Sequence, residues 1–269
     1  MSKIKGPFQF IGSFGNVRCY YDPATEQYIM AGKGGYTREQ FLTLKSLEEN
    51  RKNAGEFGAS SHWASSLYDS LSGLKHLMQS RCFNNITSKG KFILRQDFTN
   101  PKGFRSVAVS KEAQALTEID FNERHPLRSV IRESYAISLS EDKKTFTLSI
   151  PEFVTARDAW WGNKYFAVRI YVVVAQTADL VYNAVTKEWE PVVDGLELIS
   201  RKVVSGWMFY NSEPNVVNLS VVLDDPAFSS PGTAVVVAMG VEFSLSAING
   251  EPIPEPHAGS MAIVRSYNT

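Results

Sequence analysis

The stretch Tyr165–Thr177, reading Tyr-Phe-Ala-Val-Arg-Ile-Tyr-Val-Val-Val-Ala-Gln-Thr, limits the fold more than any other segment. It is the longest run dominated by β-branched and aromatic residues, the types that fit a pleated, packed surface. Its even positions, Phe166, Val168, Ile170, Val172 and Val174, are all apolar, the period-2 mark of a strand facing a core. Its odd positions, Tyr165, Ala167, Arg169, Tyr171, Val173 and Ala175, are nearly as apolar, with a single Arg. A strand lining one side of an ordinary sandwich shows water a more polar second face. The odd face is therefore expected to be covered, by the chain's own helices or by another subunit.

Upstream, the pattern divides. Val17–Tyr21 and Gln27–Ala31 are short extended runs on either side of Asp22-Pro23, a turn signal, and predict a β-hairpin. Gly12 and Gly15 allow a sharp bend before it. Thr37 and Gln40 have the spacing of a capping box, and Phe41, Leu44 and Leu47 follow on a helix that ends in the polar run Glu48 to Asn53. Trp63, Leu67, Leu71, Leu74 and Met78 form one face of a second helix. Phe83, Ile86, Ile93 and Phe98 suit a third, weakened by Gly90, and Lys111–Leu116 a short fourth.

From Val130 the period changes from 3.6 to 2. Tyr135, Ile137, Leu139 and then Phe146, Leu148, Ile150 alternate around Glu141-Asp142-Lys143-Lys144, which predicts a hairpin. Further strands are expected in a hairpin around Asn183–Trp189, over Leu198–Tyr210 with Gly206 at a bulge, and along Val217 to Leu223. Two more cover Val235 to Leu245 and Met261 to Tyr267. Ser212-Glu213-Pro214-Asn215, Asp224-Asp225-Pro226 and Asn249-Gly250 punctuate them as turns. The fold class is α+β: an N-terminal β-hairpin and helical region over 1–127, then an antiparallel immunoglobulin-like β-sandwich over 128–269.

Charge argues against a polyelectrolyte partner. The 28 basic and 28 acidic residues cancel, so neither nucleic acid nor an anionic membrane surface is expected as the main partner. No apolar run is long enough for a membrane-spanning helix. Met-Ser-Lys-Ile-Lys-Gly-Pro lacks the apolar core of a secretory signal, so synthesis in the cytoplasm is expected. Cys19 and Cys82 fit no metal or redox spacing and read as reduced, partly buried thiols.

Catalytic signatures are absent. His62 and His76, placed on one helix, would stand about 21 Å apart and could not share a metal ion. His125 and His257 fall in a linker and a Pro-rich loop and read as surface or capping residues. Asp224-Asp225, and Asp194 near Glu188 and Glu190, lack the loop spacing calcium needs and read as turn chemistry. The chain is read as not an enzyme, with no cofactor and no metal.

Trp160 and Trp161 are the clearest binding candidates, with Tyr165 and Tyr171 on the nearby strand. Adjacent tryptophans offer flat amphipathic surface for a sugar ring or a protein pocket. The competing reading makes one of them a plug in the end of the sandwich. Trp189 and Trp207 read as core or cross-strand residues.

Gly12-x-x-Gly15-Asn16-Val17 before an aromatic strand resembles the start of a family of uncharacterised Bacteroidota proteins. Asn53-x-x-Glu56-Phe57-Gly58 before an amphipathic helix, and the β-rich second half ending near Ser266-Tyr267, are similar as well. The resemblance implies this order of elements and transfers no activity. The expected function is a non-enzymatic structural protein that self-assembles as a homo-oligomer or docks on a protein partner, in a filament, tube or phage-like particle. Gly12, Gly15, Asn16, Val17 and Tyr20 mark the hairpin that would reach a neighbour by strand addition. The alternative is a glycan- or ligand-binding sandwich module.

Overall fold

A computed structural model describes residues 2–3, 10–117, 119–162, 164–196, 199–223 and 230–268. The protein is α+β, with antiparallel sheets, and forms two compact units, Met1–Arg51 and Lys52–Thr269. The contact boundary thus lies far upstream of the change of period near residue 128, because residues 52–127 pack into the same core as the sheet that follows them.

The first unit is a four-stranded antiparallel sheet, ordered β1-β4-β3-β2, from β1 (Ser2–Lys3), β2 (Gly12–Phe14), β3 (Val17–Asp22) and β4 (Gln27–Gly32). Asp22 caps the β3–β4 turn, its carboxylate accepting from the Ala24 N–H and the Thr25 hydroxyl. Helix α1 (Arg38–Thr43) starts with the expected capping box: Thr37 Oγ1 accepts the Gln40 N–H, and Gln40 Oε1 accepts the Thr37 N–H. Arg51 donates to the Phe41 and Leu44 carbonyls left open where α1 stops. Cys19 and Leu47 are the only described residues of this unit that are buried.

The second unit stacks three layers. In chain order its elements are α2 (Glu48–Ser70), α3 (Cys82–Arg95), α4 (Leu127–Val130), β5 (Ala136–Leu139), β6 (Thr145–Phe153), α5 (Thr155–Asp158) and β7 (Ala167–Ala178). Then come β8 (Leu180–Asn183), β9 (Glu188–Pro191), β10 (Ser200–Val204), β11 (Met208–Phe209), β12 (Asn215–Val222), β13 (Thr233–Ile248) and β14 (Glu251–Asn268). The central sheet runs β10-β7-β13-β14, with β11 also pairing to β7, and a second sheet runs β12-β6-β5.

The opening strand sits in the middle layer. Val168, Ile170, Val172 and Val174 face the second sheet and meet Phe146, Leu148, Ile150, Val217, Leu219 and Val221. Tyr171, Val173 and Ala175 face the other way, into a cluster with Trp63, Leu67, Leu71, Leu74, Ile86 and Ile93. The chain's own helices therefore cover the odd face. The alternation breaks at the strand's start: Tyr165 is buried against the sandwich side, while Phe166, expected inward, is exposed. Tyr165 precedes β7, so the ladder does not dictate which way its ring points.

The helical layer departs from expectation in several places, and the short helix expected over Lys111–Leu116 is a 3-10 turn over Ala113–Leu116. Glu48 to Asn53 opens α2 instead of ending a helix, and Glu48 and Glu49 at its first turn complement the positive end of the helix dipole. The Trp63–Met78 stripe is all buried but is not one helix: α2 ends at Ser70 and a 3-10 segment carries Ser72–Leu77. The third helix forms over Cys82–Arg95 and leaves Phe98, expected on it, beyond its end and exposed, while Gly90 has a packing reason. A Cβ there would stand 2.7 Å from Trp63 Cε3 and 3.2 Å from the Ser60 carbonyl oxygen, so only glycine lets the helices approach this closely.

The remaining strands follow the sequence with corrections. The expected Leu198–Tyr210 strand is two, β10 and β11, separated around Gly206. The last strand is much longer than Met261 to Tyr267, because the Pro252–Pro256 run joins β14 and His257 sits in it at φ 64°. Ladder irregularities near Ser244 and Ser246 absorb those prolines. Asn249-Gly250 turns this β13–β14 hairpin, whereas Asp224-Asp225-Pro226 lies outside the described residues. The free edge of β14 is met by residues 119–121, through Ile263 N–H to Ile119 O at 3.0 Å and Phe121 N–H to Met261 O at 2.9 Å. Both cysteines are buried and free.

Candidate functional site

Helix α5 sets the aromatic loop. Asp158 Oδ2 accepts the Val154 N–H at 2.7 Å, and Arg157 clamps both carboxylate oxygens at 2.6 and 2.9 Å. Burial alone would raise the Asp158 pKa, but these hydrogen bonds outweigh it and hold the group ionised below the usual range. The following residues are stitched to the α4 region by Arg132 N–H to Asp158 O and Trp160 N–H to Val130 O, both 2.8 Å. Backbone anchoring on both sides of Ala159 fixes where the two tryptophans leave the chain.

They leave in different directions. Trp161 stacks on Phe243 with centroids 5.2 Å apart and planes at 28°, and so plugs the end of the sandwich. Trp160 remains 40% exposed. Tyr165 packs edge-on to Phe243 at 4.9 Å and to Tyr210 at 5.2 Å. Its hydroxyl donates to the Thr155 carbonyl at 2.5 Å, and burial pushes the phenol pKa well up, so this tyrosine stays neutral. Trp160, Trp161, Tyr165 and Tyr210, with Lys164, enclose an open hollow of about 500 Å³. Asn163 lies outside the described residues. A hollow of this size with aromatic walls and one cation suits the apolar face and hydroxyls of a sugar ring.

Tyr171, grouped with these residues in the sequence, is placed elsewhere. It lies on the helix-facing side of β7 and donates to Glu242 Oε2 at 2.8 Å. Arg169 Nε donates to the same oxygen at 2.6 Å, and His76 Nε2 stands 3.1 Å from Oε1. The Arg169 guanidinium also lies 4.4 Å above the Trp207 ring. Burial raises the Glu242 pKa, but bonds from His76, Tyr171 and Arg169 more than compensate and hold it at about 2. A carboxylate already satisfied by three side chains is a structural tie between helix layer and sheet. Sequence reading missed it, yet a signal existed: Arg169 and Glu242 are lone charges in two apolar strands and stand in direct register.

The other titratable clusters are likewise internally satisfied. Glu56 takes Arg105 in a bidentate pair and the Gly103 N–H at 2.7 Å. Asp97 accepts from the Thr99, Asn100 and Ser106 N–H groups, which folds the 97–106 loop around one carboxylate. Glu190 accepts from Asn183 and Thr186 within the β8–β9 hairpin, in keeping with turn chemistry there. Trp189 packs cross-strand on Tyr182 at 4.9 Å. Among the described residues no three or more His, Cys, Asp or Glu gather as a metal site. No described helix is long and apolar enough to cross a membrane.

The N-terminal candidates form one corner of the first unit. Gly15 and Asn16 make the two-residue turn between β2 and β3, with Gly15 at φ 56°, and Asn16 O accepts the Lys33 N–H at 2.7 Å. Val17 pairs with Phe14, and Tyr20 pairs with Ile29. Around them Ile11 is 70% and Phe14 82% exposed, and Phe10, Tyr21, Met30, Tyr36, Leu42 and Leu44 are exposed too. No family model, curated protein or solved structure matches this chain.

Proposed function

We propose that the protein is a non-enzymatic structural component that assembles with copies of itself through its N-terminal unit. One observation carries this reading: among its described residues, the unit of a four-stranded sheet with a helix buries two side chains and leaves eight large apolar ones exposed. A sheet of that size without a core is marginal in water by itself. Covering Ile11 and Phe14 alone removes enough apolar surface to contribute on the order of 3–5 kcal/mol to association. The central strand no longer needs a partner, since both its faces are covered, so the assembly surface shifts to the first unit. Among the described residues the buried carboxylates Glu56, Asp158, Asp179 and Glu242 are all engaged in structural bonds, which supports a non-catalytic role. A filament, tube or phage-like particle is the form such assembly would take.

Static light scattering and electron microscopy of the full chain test the proposal. Concentration-dependent oligomers that Phe14→Ser with Ile11→Ser abolishes are expected. A monomer at high concentration would overturn it.

The immunoglobulin-like assignment belongs to the same reading. Strands β5, β6 and β12 follow the A-B-E order of that class, and β10-β7-β13-β14 follow C′-C-F-G. Such sandwiches commonly serve as building blocks and recognition modules. The exposed Trp160 over the aromatic hollow supports a second reading, a glycan-binding module. A glycan array separates the two: binding lost in Trp160→Ala favours the module, and no binding removes it.

A further inference from the structure

The registers of the N-terminal sheet sort its side chains onto two unlike faces. Val17, Cys19 and Tyr21 alternate along β3 and pair with Phe14, Met30 and Tyr28, so these six share one face. Arg18, Tyr20, Asp22, Gln27 and Ile29 stand on the other. Both charged residues of β2, β3 and β4 therefore fall on the second face, and the first carries none. A sheet face that stays in water normally carries the polar half of the alternation. The uncharged face is open all the same. Phe14 is 82%, Tyr21 41% and Met30 39% exposed, Val17 and Tyr28 are half-buried, and only Cys19 is covered.

The open area is large enough to decide what it is for. One copy's Phe14, Tyr21 and Met30, with Phe10 and Ile11 on the chain leading into β2, expose about 600 Å², taking aromatic side chains at their usual full areas. Two copies closing face to face would cover about 1,200 Å², which reaches the range of a standard stable protein–protein interface. The chemistry favours a second copy over an unlike partner. A face without charge has nothing with which to steer or orient a charged surface, whereas its own double meets it without burying an ion. Tyr21 and Tyr28, with ring centroids 5.2 Å apart beside the β3–β4 turn, are the amphipathic kind of pair that suits an interface rim. Stacking two such sheets also supplies the apolar interior that neither has alone.

We propose that this uncharged face packs against the same face of a second copy, sheet on sheet about a two-fold axis. The proposal rests on the self-assembly reading and adds to it the face used and the symmetry. A two-fold contact is isologous and closes on itself, so the dimer is the unit, and any larger particle needs a further surface.

Sedimentation equilibrium of the full chain tests this, together with hydroxyl-radical footprinting at concentrations on either side of the association. A species of twice 30.0 kDa is expected. Tyr21→Lys and Met30→Lys should each weaken it about tenfold or more, since the ammonium would be buried unpaired. Gln27→Lys, on the charged face, should leave it at parental strength. Footprinting needs no variant and so holds even where a lysine unfolds the small sheet. Phe14, Tyr21 and Met30 should lose reactivity on association, while the exposed Phe98 of the second unit keeps it. A dimer weakened by Gln27→Lys but not by Tyr21→Lys or Met30→Lys overturns the choice of face and leaves self-assembly standing. So does association that leaves Phe14, Tyr21 and Met30 reactive. Growth beyond two copies that Met30→Lys returns wholly to monomer overturns the two-fold symmetry. A monomer at every concentration overturns both readings.

Discussion

Two helical glycines should respond to alanine with opposite signs. Gly90 lies inside α3, where glycine costs about 1 kcal/mol relative to alanine, so propensity alone favours the substitution. Packing opposes it. The added methyl would stand 2.7 Å from Trp63 Cε3, and Trp63 is 1% exposed and tied through its Nε1–H to Thr177 Oγ1 at 3.0 Å. Its second neighbour, the Ser60 carbonyl at 3.2 Å, is α2 backbone and gives way only if the helices part. Overpacking of this kind costs about 1–3 kcal/mol, and an indole and a backbone carbonyl both in the way place it in the upper half of that range. The expected net loss is about 1–2 kcal/mol, or a fall of roughly 2–8 °C in melting temperature for a unit of this size. Gly58 supplies the control. It is exposed in the interior of α2 with nothing within 4 Å of a built Cβ, so Gly58→Ala should gain about 0.5–1 kcal/mol. Paired thermal and urea denaturation of both variants measures the contrast. Gly90→Ala as stable as the parent would refute the close approach of α2 and α3 around Trp63.

Further outcomes follow from the polar ties. Glu242 is held at about 2 in the folded chain against an ordinary value of 4.5, so its contribution, on the order of 3 kcal/mol, is present above about pH 4.5 and is lost as pH falls towards 2. Glu242→Gln should flatten that acid limb in a plot of unfolding free energy against pH; an unchanged limb would discount the tie. Tyr171→Phe, which removes one of the three donors, should cost about 1–3 kcal/mol in chemical denaturation and leave the helix content unaltered. Asp97→Ala should release the 97–106 loop, visible as faster amide exchange at Thr99, Asn100 and Ser106 while the central sheet keeps its protection.

Much of the fold was legible because two periods are written plainly in the chain. Val168 to Val174 announced a strand, and the semi-apolar odd face announced a covering layer. Nothing in the pattern says what the cover is, since an apolar face packs as well on a neighbouring copy as on α2 and α3. Tyr165 and Phe166 were misassigned for a related reason: alternation sets the faces only along a regular strand, and both residues lie before β7, which starts at Ala167. The Trp63–Met78 stripe gave the buried residues and missed the change to a 3-10 segment, because both helical forms bring residues three and four apart near one face. The candidate site was half visible. Paired tryptophans stand out in any sequence, but Tyr210 and Lys164 reach them only through the fold. The docking of residues 119–121 beside β14 was not visible either, because no pattern in so short a segment says which strand it will meet.

That docking also bears on how the chain behaves in a crowded solution. A sheet whose outermost strand is already engaged by residues 119–121 on one side, and whose other border strand β10 carries Arg201 and Lys202, offers poor templates for unwanted strand recruitment. Polymerisation of the large unit through its central sheet is thereby discouraged at both borders. If the chain assembles as proposed, the small N-terminal sheet is the region where covering or removing a few dozen residues would control it.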